Sequence, residues 1–415
     1  MIARAASWAA ALREDERLRL ARGIACAVLA VYVAYHMTKF RPFWPTSFTQ
    51  DGLGDFSILI DDGSLVATTG RTRAALSATP ERFFFPYTPP ASILFFLYGH
   101  LGPGLAFWGF WLVKAASVFV IVWAGLGFAG ARGRPAAWLA ALAALLAADY
   151  FVHYDLRQQN INLVYVAVVA LALLPATPAA LAGVLLALAC TFKLYSFVFV
   201  PWLHWRGRHR AAAVCVAALA LLWIALPLAW FGFAGTLQVY RDWLEEIRKS
   251  GTMAIFTAPA PLITLRHFLA GTFDLPPFAP ETARLLLALQ MVWLALVAAY
   301  FWLTRPQDVP SPLQDGADAA VLMMLPLPFS TILQPTHGAP TLLAFVMVAA
   351  AALEPARPRG IRIALAGSLA AAMILRRAMD SWALRGGMTY LVLCIGVAGL
   401  GVLLLAERRA GNARG

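Results

Sequence analysis

The chain has 415 residues, 61% of them hydrophobic and 13% charged, with a mean hydropathy of +0.71, whereas a soluble globular chain carries about 45–50% apolar and about 25% charged residues. A soluble enzyme is thereby excluded, and apolar runs such as Pro103 to Gly130, Ala211 to Phe231, Leu285 to Leu303 and Tyr390 to Ala406 reach the ~20 residues that a membrane-spanning helix needs. The net charge of +12 sits in clusters between apolar runs, which points to membrane orientation and not to nucleic acid.

The first run, Leu20 to Met37, follows Arg4, Arg13, Arg17 and Arg19 and contains Arg22; it reads as an uncleaved first span with a cytoplasmic N-terminus. Residues 39–89 then form a first outer loop. A short apolar stretch, Pro90 to Leu101, and a full span to Gly130 follow, returning at the basic Arg132 and Arg134. Runs from Ala136 to Val152 and from Ile161 to Leu174 enclose a polar hairpin, His153 to Asn160, expected on the outer side. The run Ala179 to His204 ends at a second cytoplasmic basic cluster, Arg206, Arg208 and Arg210, and the inside–outside parity fails if that run is one simple span. Two arrangements restore it: the run dips in and returns as two half-helices breaking near Lys193, or a neighbouring segment is re-entrant.

Beyond Arg210 the chain is out at Phe231, runs through a second outer stretch, and is back in by Thr304. Gln334 to Gly338 then falls outside, Glu354 to Arg362 inside, Arg376 to Arg385 outside and the tail Glu407 to Gly415 inside. The expected architecture is all-α, a polytopic transmembrane helical bundle of about 10–12 membrane segments with short interfacial helices in its outer loops. It forms a single integral-membrane domain, divided into 1–38 (first span), 39–89 (first outer loop), 90–232 (membrane module), 233–282 (second outer loop) and 283–415 (C-terminal helices). The four cysteines, Cys26, Cys190, Cys215 and Cys394, have no paired spacing, so neither a disulfide framework nor a zinc site is expected.

The chemistry-bearing residues fall at the outer side. The first outer loop holds Asp51, Asp55, Asp61 and Asp62. Asp51 and Asp55 share a face if helical, and either is a candidate general base, against the alternative of solvated turn and cap residues. Asp55 is followed at once by apolar residues, which favours an interfacial carboxylate. The loop ends in Arg82-Phe-Phe-Phe-Pro-Tyr-Thr-Pro-Pro, where the aromatics are either interfacial anchors or a wall of a substrate cavity. Asp155-Leu-Arg-Gln-Gln-Asn-Ile-Asn-Leu carries more amides than helix capping explains, and polar groups entering a bilayer need a cavity or a partner.

Lys114 and Lys193 interrupt apolar runs. For Lys114 we read snorkelling or pairing with an internal carbonyl, and for Lys193 a functional position reached through a broken helix. His337, in a turn set by Pro335 and Gly338, offers an imidazole to a phosphate oxygen or a proton. Arg241, Arg248, Lys249, Arg266 and His267 alternate with Asp242, Glu245 and Glu246 and read as a solvated amphipathic helix.

In order and spacing, Asp55-Phe56, Phe85-Pro86-Tyr87-Thr88-Pro89-Pro90, Gln159-Asn160-Ile161-Asn162-Leu163, Leu181-Ala182-Gly183 through Lys193, and Gln334-Pro335-Thr336-His337 resemble the membrane glycosyltransferases of the GT-C fold. They are most similar to glycosyltransferase family 87, the polyprenyl-phosphate-mannose-dependent mannosyltransferase type, from Asp51 to about Met347. The family's Gly-Gln stands here as Gln159-Asn160, and a register through Gln158 is the alternative.

The resemblance implies a sugar donor, mannose, linked to a polyprenyl phosphate, and a lipid or glycan hydroxyl as acceptor. Transfer would proceed with inversion, without cofactor or metal, at the outer (periplasmic) side of a bacterial inner membrane. It assigns Asp55 as general base with Asp51 in reserve, and His337, Lys193 and Arg82 to the donor phosphate. Gln159, Asn160, Asn162 and Tyr87 fall to the substrate. Partners would be the lipid-linked sugar, the acceptor and membrane lipids, not nucleic acid. Two rivals share the hydropathy: a transporter or flippase of lipid-linked glycans using Lys114 and Lys193 as pathway charges, and a glycan ligase or polymerase binding phosphate through Arg71, Arg73 and Arg82.

Overall fold

The computed structural model describes residues 2–38, 45, 47, 55–76, 87–249, 265–276, 279–304, 311–329, 335–378 and 385–412, and every regular element among them is helical. The first half holds α1 (Ile2–Met37), α2 (Asp55–Thr69), α3 (Arg73–Leu76), α4 (Pro89–Gly99), α5 (Pro103–Phe128), α6 (Pro135–Gln158), α7 (Asn162–Leu173), α8 (Ala179–Phe192) and α9 (Phe199–Trp205). The second holds α10 (His209–Ala220), α11 (Leu226–Lys249), α12 (Leu265–Thr272), α13 (Pro280–Leu303), α14 (Pro312–Met324), α15 (Pro340–Ala352), α16 (Arg359–Ala378) and α17 (Arg385–Asn412).

Proline opens α4, α5, α6, α13, α14 and α15, where its fixed φ suits the first turn and no N–H is required. Six helices among the described residues are long and apolar enough to cross a membrane, in α1, α5, α6, α10–α11, α13 and α17; α4, α7, α8 and α15 are shorter apolar helices. Every residue of α15 is buried, as expected of a helix apolar all round, and α5, α6, α14, α16 and α17 pack about it. The chain is an all-α, multi-pass integral membrane protein.

The parity problem has a physical answer. α8 stops at Phe192, Lys193 is extended (φ −137°, ψ 106°), and a 3-10 turn over Leu194–Val198 leads into α9. After α9, Arg208 donates to the carbonyl of Leu173 at 3.3 Å, the residue that closes α7 just ahead of α8. The end of α9 thus lies beside the beginning of α8, so the run enters and returns with Lys193 at its tip. Gly183 lets α10 close against this hairpin: a Cβ there would stand 2.7 Å from the Ala211 carbonyl oxygen and 2.7 Å from Val214 Cβ.

One end of the bundle gathers the basic segments. Arg357 bonds Glu354 at 2.7 Å and Glu407 at 2.8 Å, Arg134 lies 3.7 Å from Glu354, and Arg408 donates to the Leu303 carbonyl at 2.9 Å. At the other end, Asp149 of α6 accepts from Tyr32 of α1 at 2.8 Å and from Arg376 of α16 at 2.7 Å.

Two expectations need correction. The stretch His153 to Asn160 is not a polar hairpin: α6 runs through it to Gln158 and the turn is confined to Gln159–Ile161, because Asp155 pairs with Lys114 inside the bundle and His153 bonds within the helix to the Asp149 carbonyl. The helix over 226–249 is not fully solvated either, since Asp242 and Glu246 are buried. Asp242 accepts from Arg71 and from Gln238, at 2.5 and 2.7 Å.

Candidate active site

Asp55 is the first residue of α2, where the unpaired N–H groups of the first turn favour a carboxylate. Opposite it, α6 is closed by Gln159 in the left-handed region (φ 53°, ψ 33°), a conformation uncommon for a residue with a side chain. The Gln159 amide donates back to the Leu156 carbonyl at 2.5 Å. This turn throws Asn160 off the helix axis, and its amide donates to Asp55 Oδ2 at 2.7 Å. No hydrogen bond to Asp55 Oδ1 is made among the described residues.

The third part of the site comes from the re-entrant hairpin. Thr88 caps α4, accepting from the Ala91 N–H at 3.4 Å, while its hydroxyl donates to the Thr191 carbonyl at 2.6 Å. This ties the start of α4 to the end of α8. The residues just beyond the tie therefore meet, and Lys193 Nζ sits 5.5 Å from the centre of the Tyr87 ring, within cation–π range. Lys193 acts electrostatically on both Asp55 and Asp155. Burial pushes the Asp55 carboxyl above the ordinary carboxylate range, against the pull of the Asn160 amide and of the charges on Lys114 and Lys193.

Beside these groups lies an apolar slot of about 220 Å³. Phe56, Leu94, Phe110, Ile161 and Phe192 line it, so its walls include the chain neighbours of Asp55, Asn160 and Lys193. Around the same turn, Gln159 Oε1, Asn160 Oδ1 and both amide atoms of Asn162 are buried without hydrogen-bond partners among the described residues. Such groups are costly unless something polar meets them. The arrangement joins a carboxylate with one uncommitted oxygen, a cation, unsatisfied amides and an apolar slot.

The structure brings together Asp55, Tyr87, Gln159, Asn160, Asn162 and Lys193. Asp51 and Arg82 lie outside the described residues. His337 is half-buried in a 3-10 turn, Pro335–Gly338, whose Gly338 leaves no room for a Cβ against Phe151 (2.4 Å). That seats the turn on α6 four residues before Asp155. Arg71, one of the rival phosphate ligands, is turned toward Asp242.

Sequence reasoning gave Lys114 an internal carbonyl and missed its carboxylate partner, Asp155. Lys114 does meet an internal carbonyl, that of Asp155, but it also forms an ion pair with the Asp155 carboxylate at 3.0 Å, both side chains 0% exposed. The signal was available: a lysine within an apolar run calls for a carboxylate partner.

The architecture and the site are those of a multi-pass membrane protein with a carboxylate poised over an apolar slot. A model of glycosyltransferase family 87 matches residues 84–328, more than half of the chain. The chain belongs to that family and is a membrane glycosyltransferase, which sets the transporter reading aside. The match includes Tyr87, the Gln159–Asn162 turn and Lys193, and is narrower than the expected Asp51 to Met347, leaving Asp55 and His337 outside it. No curated protein sequence matches the chain. Two crystal structures of ArnT from Cupriavidus metallidurans, one in the apo state and one bound to undecaprenyl phosphate, are similar to it at 14% identity, with TM-scores of 0.41 and 0.38. Each alignment covers 94% of this chain and 78% of the other.

Proposed function

We propose that the enzyme moves a sugar, mannose by family, from a polyprenyl phosphate to a hydroxyl of a lipid or glycan, at the outer face of a bacterial inner membrane. The orientation follows from the positive-inside rule, which sets the basic end of the bundle in the cytoplasm and the site away from it. The prenyl chain occupies the apolar slot, and Lys193, with His337 and Arg82 as further candidates, faces the phosphate. Tyr87, Gln159, Asn160 and Asn162 meet the sugar.

Asp55 Oδ1 takes the proton of the incoming hydroxyl as its oxygen bonds to the anomeric carbon. The bond from that carbon to the phosphate oxygen breaks with inversion, and polyprenyl phosphate leaves with the electron pair. Phosphate is a competent leaving group, so stabilising its charge matters more than protonating it. Asp51 is the reserve base.

The observation that carries the reading is the 2.7 Å bond from Asn160 to Asp55 Oδ2, which fixes the carboxylate beside the slot and leaves its second oxygen available. The test is transfer by purified protein in lipid vesicles, given a panel of radiolabelled polyprenyl-phosphate sugars and a membrane extract as acceptor pool. Labelled product from the mannose donor, abolished by Asp55→Asn, is expected. No product from any donor overturns the reading.

A further inference from the structure

Lys114 and Asp155 form the most deeply enclosed charge pair around the site. Lys114 makes two links to a single residue, one to the carboxylate of Asp155 and one to its main-chain carbonyl. That carbonyl belongs to the last turn of α6, where helical carbonyls run out of intrahelical partners. Four residues on is Gln159, which ends the helix in the left-handed region, and the next residue is Asn160, the donor to Asp55. The chain of contacts therefore runs from α5, through the end of α6, to the carboxylate at the start of α2.

An ion pair in so dry a place gives little net stability over apolar residues of the same volume. Its charge is felt beyond the pair, because Lys114 acts electrostatically on Asp55 as well as on Asp155. The groups that face Asp55 are Lys114 from α5, Asp155 and Asn160 from α6 and its turn, Lys193 beyond α8, and Tyr87 ahead of α4.

We propose that Lys114 and Asp155 are positioning residues for the reaction: the pair clamps the last turn of α6 so that Asn160 holds Asp55, and its two charges act on Asp55 in opposite senses. This rests on Asp55 being the base.

The test compares Lys114→Gln and Asp155→Asn, near-isosteric polar replacements, in lipid nanodiscs. The readout is the infrared carboxylic-acid band of Asp55, identified by its loss in Asp55→Asn and followed against pH without any substrate. Loss of the lysine charge moves the midpoint of that band up by about one pH unit, and loss of the Asp155 charge, leaving Lys114 unopposed, moves it down by a similar amount. A role in packing alone would not give shifts of opposite sign, so shifts of the same sign, or none, overturn the proposal. Where a single variant fails to fold, the double variant Lys114→Gln/Asp155→Asn, with no lone buried charge, replaces it: the two opposite shifts nearly cancel, while loss of the clamp on the end of α6 still lowers kcat about tenfold or more; wild-type kcat there overturns the proposal.

With labelled undecaprenyl phosphate mannose and the same membrane extract, Lys114→Gln is expected to lower kcat by roughly tenfold to a hundredfold with donor KM within a factor of about two. Retained transfer by Asp55→Asn would instead remove the base, and the two failures are thereby told apart.

Discussion

Asp318 and Asp55 face different company. Asp318, in α14 toward the basic end of the bundle, accepts from Tyr300 and Gln314 at 2.9 Å each and from Trp202 at 3.3 Å. Asp315, one turn earlier, is gripped by Arg206, at 3.0 and 2.6 Å, and by Arg208. Among the described residues Asp55 has a single donor, Asn160, and lies among amide atoms without hydrogen-bond partners. Both regions place carboxylates inside a bundle in a chain poor in charge. In one the protein supplies every hydrogen bond itself, as buried polar groups require. In the other it leaves bonds for something else to make. The contrast, more than the presence of a carboxylate, separates a joint from a site.

That contrast can be broken experimentally. Asp55→Asn keeps the shape and the Asn160 neighbour but removes the proton acceptor, and should lower kcat by about 10³-fold, within the range for a lost general base; near-normal transfer in the vesicle assay would make Asp55 a joint as well. Lys193→Gln should cost about 10²-fold in transfer, as for one lost electrostatic stabiliser of a developing anion, measured as kcat/KM for the labelled donor.

A smaller, directional effect is expected from Asn160→Ala. Asp55 must be ionised to accept a proton, so transfer falls as the pH drops through its midpoint, and burial already holds that midpoint above the usual carboxylate range. Removing the Asn160 amide, one of the influences that lower it, should move the acid limb of the kcat–pH profile upward by about one unit. Asp315→Ala strands two arginines and should destabilise the protein by about 3–5 kcal/mol, read by thermal unfolding, while kcat per folded enzyme stays unchanged. Excess EDTA should leave transfer as it was; inhibition would put a metal where the proposed mechanism uses none.

Much of this was readable before any coordinates. The apolar runs gave the order of the membrane segments, and the parity conflict left two repairs open, of which α8 and α9 show the break at Lys193. Lys193 and the amides stood out as expensive residues in an apolar setting, Asp55 as a carboxylate followed at once by apolar residues, and Tyr87 only through the family resemblance. Their partners were not readable: that Asn160 meets Asp55, or Lys114 meets Asp155, depends on helices far apart in the chain. The same blindness shortened α6, since His153 to Gln158 looks like a turn until Asp155 is given its lysine, and it left Asp242 and Glu246 in solvent, although tertiary packing buries them.

The hairpin at Lys193 also bears on how the protein is made. α8 has 14 residues and α9 has 7, both short of the ~20 needed to cross a bilayer alone, so neither is a self-sufficient unit for an insertion machinery that handles segments singly. Their packing is complete only with α10 closed against Gly183, so the candidate pocket depends on a segment synthesised after the hairpin.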